Sequence, residues 1–526
     1  MEMKKGMYME HNGQEQPSVP FTSVRDNIAF IKQKLGSPND LLIRTFLTAE
    51  GEEAAVVCIE GLVDKQVIQN QVISQLMQAG GSQLVRSEHA EKSGQQDDEY
   101  SFGTVTETSE RLALQDMRIS AEWDEIILTI LSGDAVLFIE EREESILIGS
   151  RGWKSRAIEE PQTESLIRGP RDGFTEDIRT NTTLIRRRIR DPHLRFDFYC
   201  IGRRSRKDVI VAYIDGVVNP MLVDEVKRRI STIGMDDAEG SGFIEQWIQD
   251  KYWSPYPQIL NTERPDRVAG ALMQGRVAVL VDGTPFQLIM PITLSSFIQS
   301  PEDYYQNWIL ASVLRILRVF AVFIALFLPG IYIALLEYHH GMLPSKLAFS
   351  VAGTREGVPF PAVVETFLME GTLELLREAG VRLPKSIGQT IGVVGGLVIG
   401  EAAVTAGIVS PVMVVVVSVT AIASFAIPSY GFAISIRLMR FLIMIAGGVF
   451  GLYGIVLAFI INCIHLANLR SFGIPYTAPL APLRLSDWRD FIYRLPVIRL
   501  SSRPEILETM DNNRMASKGE DSNESQ

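Results

Sequence analysis

Apolar residues along this chain fall into three regimes. From about residue 24 to 300 they alternate between helical spacing and short strand-like runs, from 317 they form long uninterrupted stretches, and after 464 they thin out. VRDNIAFIKQK (24–34) carries helical spacing. The runs LLIRTFLT (41–48) and AAVVCIE (54–60), joined by turn residues, predict a hairpin. A helix over 62–77, a polar aperiodic stretch over 87–110, a helix over 121–131 and a second hairpin, AVLFIE with SILIGS, complete this half.

The same order then recurs. A helix over 175–190 precedes strands LRFDFYCIG and DVIVAYIDG, helix MLVDEVKRRI, helix ERPDRVAGALMQG and strands VAVLVDG and FQLIMP. VVCIEGLVDKQVIQNQV resembles VAYIDGVVNPMLVDEV, and LSGDAVLFIE resembles MQGRVAVLVD, which sets Gly61 opposite Gly216 and Gly133 opposite Gly275. A match over more than a hundred residues points to related subdomains and not to a short-period solenoid. The expected fold is therefore an α/β (α+β) soluble N-terminal region of two related subdomains, followed by an α-helical multi-pass membrane domain. The boundaries are a disordered N-terminus over 1–22, a first subdomain over 23–150 with an insertion at 87–116, and a second subdomain over 176–300. The segment 151–175, dense in Arg, Gly and Pro, is a linker or an ordered inter-domain contact. A membrane domain over 310–463 and a tail over 464–526, disordered after about 510, follow.

Four spans are expected, at 317–337, 391–409, 411–428 and 439–463, since roughly twenty apolar residues cross the hydrocarbon core. Pro329 and Gly330 should kink the first. Four spans leave both termini on one side, but set Arg437 and Arg440 outside, against the positive-inside tendency. A fifth span near 359–380 would correct that loop and export the tail. Glycines four apart (Gly392, Gly396, Gly400, and again Gly447, Gly451) give flat faces on which helices approach closely, within one chain or between subunits. Glu401 sits mid-span, where an ionisable side chain faces a polar cavity or is a protonated, hydrogen-bonded structural group.

Between the first two spans, PFPAVVETFLMEGTLELLREAG (359–380) is amphipathic. Val363, Phe367, Glu370, Glu374 and Glu378 share one stripe. Around the axis of an oligomer that stripe would make apolar rings at one end and carboxylate rings at the other, a gate with cation preference. On a membrane surface it would be an interfacial helix with its charges in water.

Bulk properties narrow the function. The net charge of −12 argues against a general nucleic-acid binder. Cys58, Cys200 and Cys463 lie at no metal or redox spacing and suit a reducing compartment. The first thirty residues hold no apolar run long enough for a signal peptide, so the soluble front reads as cytoplasmic. No phosphate-binding loop, HExxH or nucleophile elbow is present in the sequence, which implies no enzyme activity and no cofactor or metal.

Three segments, RGPRDGFTEDIRTNTTLIRRRIRDPHLRF, PFPAVVETFLMEGTLELLREAGVRLPKSIGQTIGVVGGLVIGEAAV and AGIVSPVMVVVVSVTAIASFAIPSYGF, strongly resemble the A subunit of GerA-type spore germinant receptors, over about residues 24 to 505. Asp172 stands where that family usually carries Glu, and Glu401 where Gln is expected. The resemblance implies a protein of the spore inner membrane with its N-terminal domain on the spore-core side. It implies a transporter-like B subunit that binds nutrient, a lipoprotein C subunit, and a homo-oligomeric, possibly pentameric, ligand-gated cation channel. A non-conducting signalling scaffold is the rival reading. A secondary transporter would show matched broken-helix halves, and none is seen in the sequence.

Overall fold

The computed structural model describes residues 19–36, 38–78, 117–152, 159–161, 163–382, 396 and 398–515. The insertion at 87–116, Gly392 and the last eleven residues of the tail lie outside them. The chain divides into two compact units, residues 1–158 with 177–198, and residues 159–176 with 199–526.

In the first unit, helix Val24–Leu35 ends at Gly36, whose φ of 68° is the left-handed stop that glycine adopts freely. Strands β1 (Leu41–Leu47) and β2 (Glu53–Ile59) pair antiparallel with Leu41 opposite Ile59, as the hairpin reading requires. With β3 (Met117–Ser120), β4 (Ala135–Ile139) and β5 (Ser145–Ile148) they form a sheet in the order β1-β2-β4-β5-β3. Alternation along β2 sends Ala55, Val57 and Ile59 to one face, against Ile31, Trp123 and Ile130, and Ala54, Val56 and Cys58 to the other, against Ile68, Val72 and Leu76. Helices cover both faces, which is why β2 reads as a continuous apolar run.

Helix Ile178–Arg188, which the sequence order assigns to the second half, belongs to the first unit. The physical reason is Arg186, 2% exposed, whose guanidinium grips Asp40 by two bonds of 3.0 and 3.2 Å. The segment 159–176 belongs instead with the second unit and is ordered there. Glu164 accepts from Thr262 Oγ1 and pairs with Arg267 at 2.7 Å, while Arg264 donates to Pro170 O at 2.7 Å.

The second sheet comprises β6 (Leu194–Ile201), β7 (Lys207–Ile214), β8 (Leu260–Thr262), β9 (Val277–Val281) and β10 (Gln287–Met290). Its order, β6-β7-β9-β10-β8, is that of the first sheet with every number raised by five. Helices Pro220–Ser231 and Ser241–Ile248 pack on the face carrying Val209, Val211, Val279 and Leu288. All four matched glycines have positive φ, 86° at Gly61, 76° at Gly216, 92° at Gly133 and 86° at Gly275. A Cβ on Gly133 would strike Leu62, just past β2, and one on Gly275 would approach Val217 O, just past β7. The edge strands β3 and β8 and helix Ser241–Ile248 were not foreseen.

Helix Trp308–Glu337 runs unbroken through Pro329, starting well before the expected 317. The acidic helix is Ala362–Arg382, residues 398–405 are helical, and Pro411–Phe425 follows Ser410, whose side chain caps it at Met413 N. The last segment, Tyr430–Ala467, is not one straight helix. Gly451, at φ 61° and ψ −144°, breaks it. The Phe432 and His465 rings lie 6.2 and 6.0 Å from the Tyr256 ring, whereas a straight helix from 432 to 465 would set them roughly 50 Å apart. A Cβ on Gly447 would also sit 3.4 Å from Ile455. The segment therefore folds back on itself as a first arm, 430–450, and a second arm, 452–467. The expected single span 439–463 is corrected accordingly, because its length is shared between two antiparallel arms.

Contacts order these helices between two levels. At the end near the second sheet, Tyr256 meets Phe432 and His465, and Arg377 lies 4.9 Å over Phe425. At the opposite end Tyr338 OH donates to Gly448 O, Ala362 N donates to Glu337, and Ser410 bonds Glu365. Helix 308–337 leads away from the sheet, 362–382 returns, 398–410 leads away again, 411–425 returns, and the two arms go out and back.

Candidate functional site

The face between helix Ala362–Arg382 and the first arm is lined with charge. On another side of the same helix Glu365, fully buried, accepts from Ser410 N at 2.5 Å and from Ser410 Oγ at 2.6 Å, with Arg355 Nη2 3.5 Å away. Tyr332 OH lies 3.2 Å from the same Ser410 Oγ. About one and a half turns inward, and facing the first arm, Glu370 (1% exposed) pairs with Arg440 (2% exposed) at 2.8 Å. One more turn along, Glu374 lies 3.3 Å from Arg437 and 3.4 Å from Arg377. Glu378 pairs with Arg382 of its own helix at 2.6 Å, in the open.

The sequence explains this register. Glu370 and Glu374 stand one turn apart on one helix, and Arg440 and Arg437 nearly one turn apart on another, so antiparallel packing brings each carboxylate to a guanidinium. The apolar part of the stripe follows suit. Val363 packs on Gly448, where a Cβ would come within 3.0 Å of Val363 Cγ2, and the Phe367 ring stands 6.1 Å from that of Phe441. Val363, Phe367, Glu370 and Glu374 thus share one face, and within the chain that face turns inward onto the first arm. The pair is incompletely satisfied, since Glu370 Oε1 and Arg440 Nε have no hydrogen-bond partner among the described residues.

The other candidates divide. Gly447 serves close packing, with Gly330 O 3.0 Å from where its Cβ would lie, and Gly451 makes the reversal. Among the described residues nothing would meet a Cβ on Gly396, and one on Gly400 would come within 3.8 Å of Val414. Glu401 is exposed on 398–405. Sequence reasoning missed Glu365, Tyr332, Ser410 and the partner role of Arg437 and Arg440. The signal for the last two is in the sequence, because RLMR sits inside an otherwise apolar stretch, where two arginines need partners. Among the described residues no group of three His, Cys, Asp or Glu could hold a metal ion.

Comparison with known proteins places this geometry in context. The profile of the family described as "Bacillus/Clostridium GerA spore germination protein" matches residues 29–506. The chain is 48% identical to spore germination protein GerLA of Bacillus cereus over 482 residues, 91% of this chain and 95% of that one. It is 40% identical to the uncharacterized membrane protein YfkQ of Bacillus subtilis (strain 168) over 493 residues, 94% of this chain and 92% of that one. Among solved structures it is similar to the crystal structure of the N-terminal domain of the A subunit of the Bacillus megaterium spore germinant receptor GerK3. That match has 31% identity and a TM-score of 0.39, and covers 52% of this chain and 97% of that one.

Proposed function

The chain belongs to the Bacillus/Clostridium GerA spore germination protein family, and from that premise we propose that it is a germinant receptor subunit of the A type whose helical region crosses the spore inner membrane and carries a gated cation pathway. Helix Trp308–Glu337 and the folded-back segment Tyr430–Ala467 are long and apolar enough to cross a membrane, and Pro411–Phe425 is apolar and shorter. Adding the acidic helix, 398–410 and the fold-back at Gly451 makes six passes, with the sheets and the tail on the same, spore-core side. This count draws the acidic helix into the membrane and turns Arg437 and Arg440 from outward loop charges into residues of the helix bundle. The two sheets of matching order are read as descendants of one duplicated unit. The chain works without catalysis, beside a transporter-like B subunit and a lipoprotein C subunit, in a homo-oligomer for which the resemblance implies a pentamer.

One observation carries the gating part: the buried Glu370–Arg440 pair between the acidic helix and the first arm. Ionisable groups at such depth are costly and mark ion or substrate pathways. In the conformation described, the carboxylates are tied to guanidiniums, so this is the closed state. Opening separates helix 362–382 from the first arm and frees Glu370 and Glu374 to attract cations. Separating a buried pair costs about 3–5 kcal/mol, so nutrient on a partner subunit must favour the open state by a factor of roughly 10²–10⁴. The inward turn of the stripe also favours the second reading, a scaffold that relays nutrient binding without conducting. Planar-bilayer recording of the purified full chain separates the two. Glu370→Gln and Arg440→Gln should each conduct without nutrient, and cation preference should fall in the Glu370→Gln, Glu374→Gln double variant. Assembled protein that stays silent in all of these is a scaffold.

A further inference from the structure

A cavity of about 580 Å³ lies in the second unit between the long helix Trp308–Glu337, both arms and the tail loop at 477–481. Its walls are apolar: Val319, Phe323, Leu326 and Phe327 from the long helix, Phe459 and Leu466 from the second arm. This volume falls inside the range of about 300–1,000 Å³ common to small-molecule sites. A cavity so lined does not hold water well and takes up apolar matter from its surroundings.

The lining is polar at the end near the sheet, where Arg315 stands. Arg315 is 1% exposed, its Nε held by Asp303 at 2.9 Å and its Nη1 by Asp490 at 2.8 Å. Its Nη2 has no hydrogen-bond partner among the described residues, nor does Nε of Arg494, which is 3% exposed. Arg315 and Arg318 hold the Asp303 carboxylate and Arg315 also that of Asp490, while Arg494 donates from Nη1 to the main-chain Asp303 O, so three guanidiniums stand against two carboxylates and the cluster carries a positive surplus next to the apolar chamber. The rim is built to match. Leu480, which lines the cavity, is 47% exposed, Leu483 and Leu485 are more so, and Arg484 lies among them. Exposed leucines interleaved with arginine suit the boundary between headgroups and acyl chains, where basic side chains attract anionic lipid. Phe323 belongs both to the cavity wall and to the exposed outer surface of the long helix, 51% exposed, so the chamber is continuous with the surface that the membrane reading gives to lipid.

We propose that this cavity holds one acyl chain of a bilayer phospholipid whose anionic headgroup is taken by the Arg315 cluster and the basic rim. The inference rests on the membrane reading above and adds a ligand to it. The test is native mass spectrometry of the full chain in mild detergent, titrated separately with phosphatidylglycerol, phosphatidylethanolamine and oleate. Wild type should retain one phosphatidylglycerol per chain at least tenfold better than phosphatidylethanolamine. Cys463→Trp and Ala481→Trp, which fill the cavity from two sides, should each weaken retention at least tenfold, and Arg315→Gln should erase the headgroup preference. Should Arg315→Gln not fold, the two tryptophan variants decide alone. Unchanged retention in both tryptophan variants, no preference for the anionic lipid in wild type, or retention of oleate in place of phospholipid would each overturn the proposal. Flotation of wild type with phosphatidylglycerol-containing vesicles is run alongside. A chain that fails to float removes the membrane reading itself, whereas one that floats without cavity-dependent retention removes only the lipid site.

Discussion

Replacing one member of the Glu370–Arg440 pair and then both gives the sharpest check on the helical region. The two side chains are 1% and 2% exposed and 2.8 Å apart, so truncating either leaves an uncompensated buried charge at a cost of about 3–5 kcal/mol. Glu374, one turn along, already serves Arg437 and Arg377 and cannot fully replace Glu370 for Arg440. Glu370→Leu and Arg440→Met should therefore each lower stability by about that amount. The double variant puts two apolar side chains of fitting volume into the same space, a change that is often neutral or stabilising by about 1–4 kcal/mol. The expected result is two strongly destabilised single variants and a double variant near wild type. Thermal unfolding of the purified full chain in detergent, read at one scan rate because such unfolding is often irreversible, would show this as two lowered midpoints and one restored. Additive losses, with a coupling below about 0.5 kcal/mol, would mean that the helices do not meet as described. The same double variant separates stability from the proposed gating: it should fold, yet leave no charge at this position for a gate to use.

Two further outcomes follow from other parts of the chain. Gly451→Ala should destabilise the fold-back by about 1–3 kcal/mol, because φ 61° with ψ −144° is open almost only to glycine, and a Cβ there would also lie 2.8 Å from His339; an unchanged unfolding midpoint would restore a single straight helix over 430–467. Burial pushes the Glu245 carboxyl up to about 7, so between pH about 4.5 and 7 the folded chain binds a proton that the unfolded chain has lost, and stability contributed by this group fades as pH rises through that window. Glu245→Gln should flatten that part of the stability–pH curve measured by chemical denaturation, and an identical curve for both proteins would show that this carboxyl does not titrate there.

Much of the soluble region was legible because its strands are continuous apolar runs bounded by turn residues. β2 and β7 begin and end within a residue or two of the runs AAVVCIE and DVIVAYIDG. Gly61, Gly133, Gly216 and Gly275 were legible as a matched set because glycine at positive φ leaves a mark in the sequence whatever surrounds it. Strands β3 and β8 were not, since three or four residues at a sheet edge carry too short a pattern to register. The placement of helix Ile178–Arg188 with the first unit depends on Arg186 reaching Asp40, a partner 146 residues away that no local spacing reveals. In the helical region, hydropathy found the greasy stretches but not the reversal at Gly451, because a glycine inside an apolar run reads equally as helix packing. Four residues of the expected stripe, Val363, Phe367, Glu370 and Glu374, meet the first arm while Glu378 pairs in the open with Arg382, and amphipathicity alone does not say whether a charged face meets water, a pore or arginines.

That last ambiguity bears on how the soluble and helical parts of the second unit are joined. Ser435 donates to Pro255 O at 2.5 Å, Tyr256 donates to Asn462 at 2.7 Å, and Phe432 packs 5.5 Å from Phe297. The loop at 254–257 therefore grips both arms at their near ends. Ser435 is only two residues from Arg437 and five from Arg440, about one and a half turns along the same helix. A helix transmits a shift at one turn to the next with little loss, so displacement of that loop moves the two guanidiniums that hold Glu370 and Glu374. Coupling of this kind needs an element with two arrangements, not merely a chain of contacts. The pair supplies one, since its unsatisfied Glu370 Oε1 and Arg440 Nε are the groups that a second arrangement would be able to satisfy. The loop that leads into β8 thus holds the arm that holds the carboxylates.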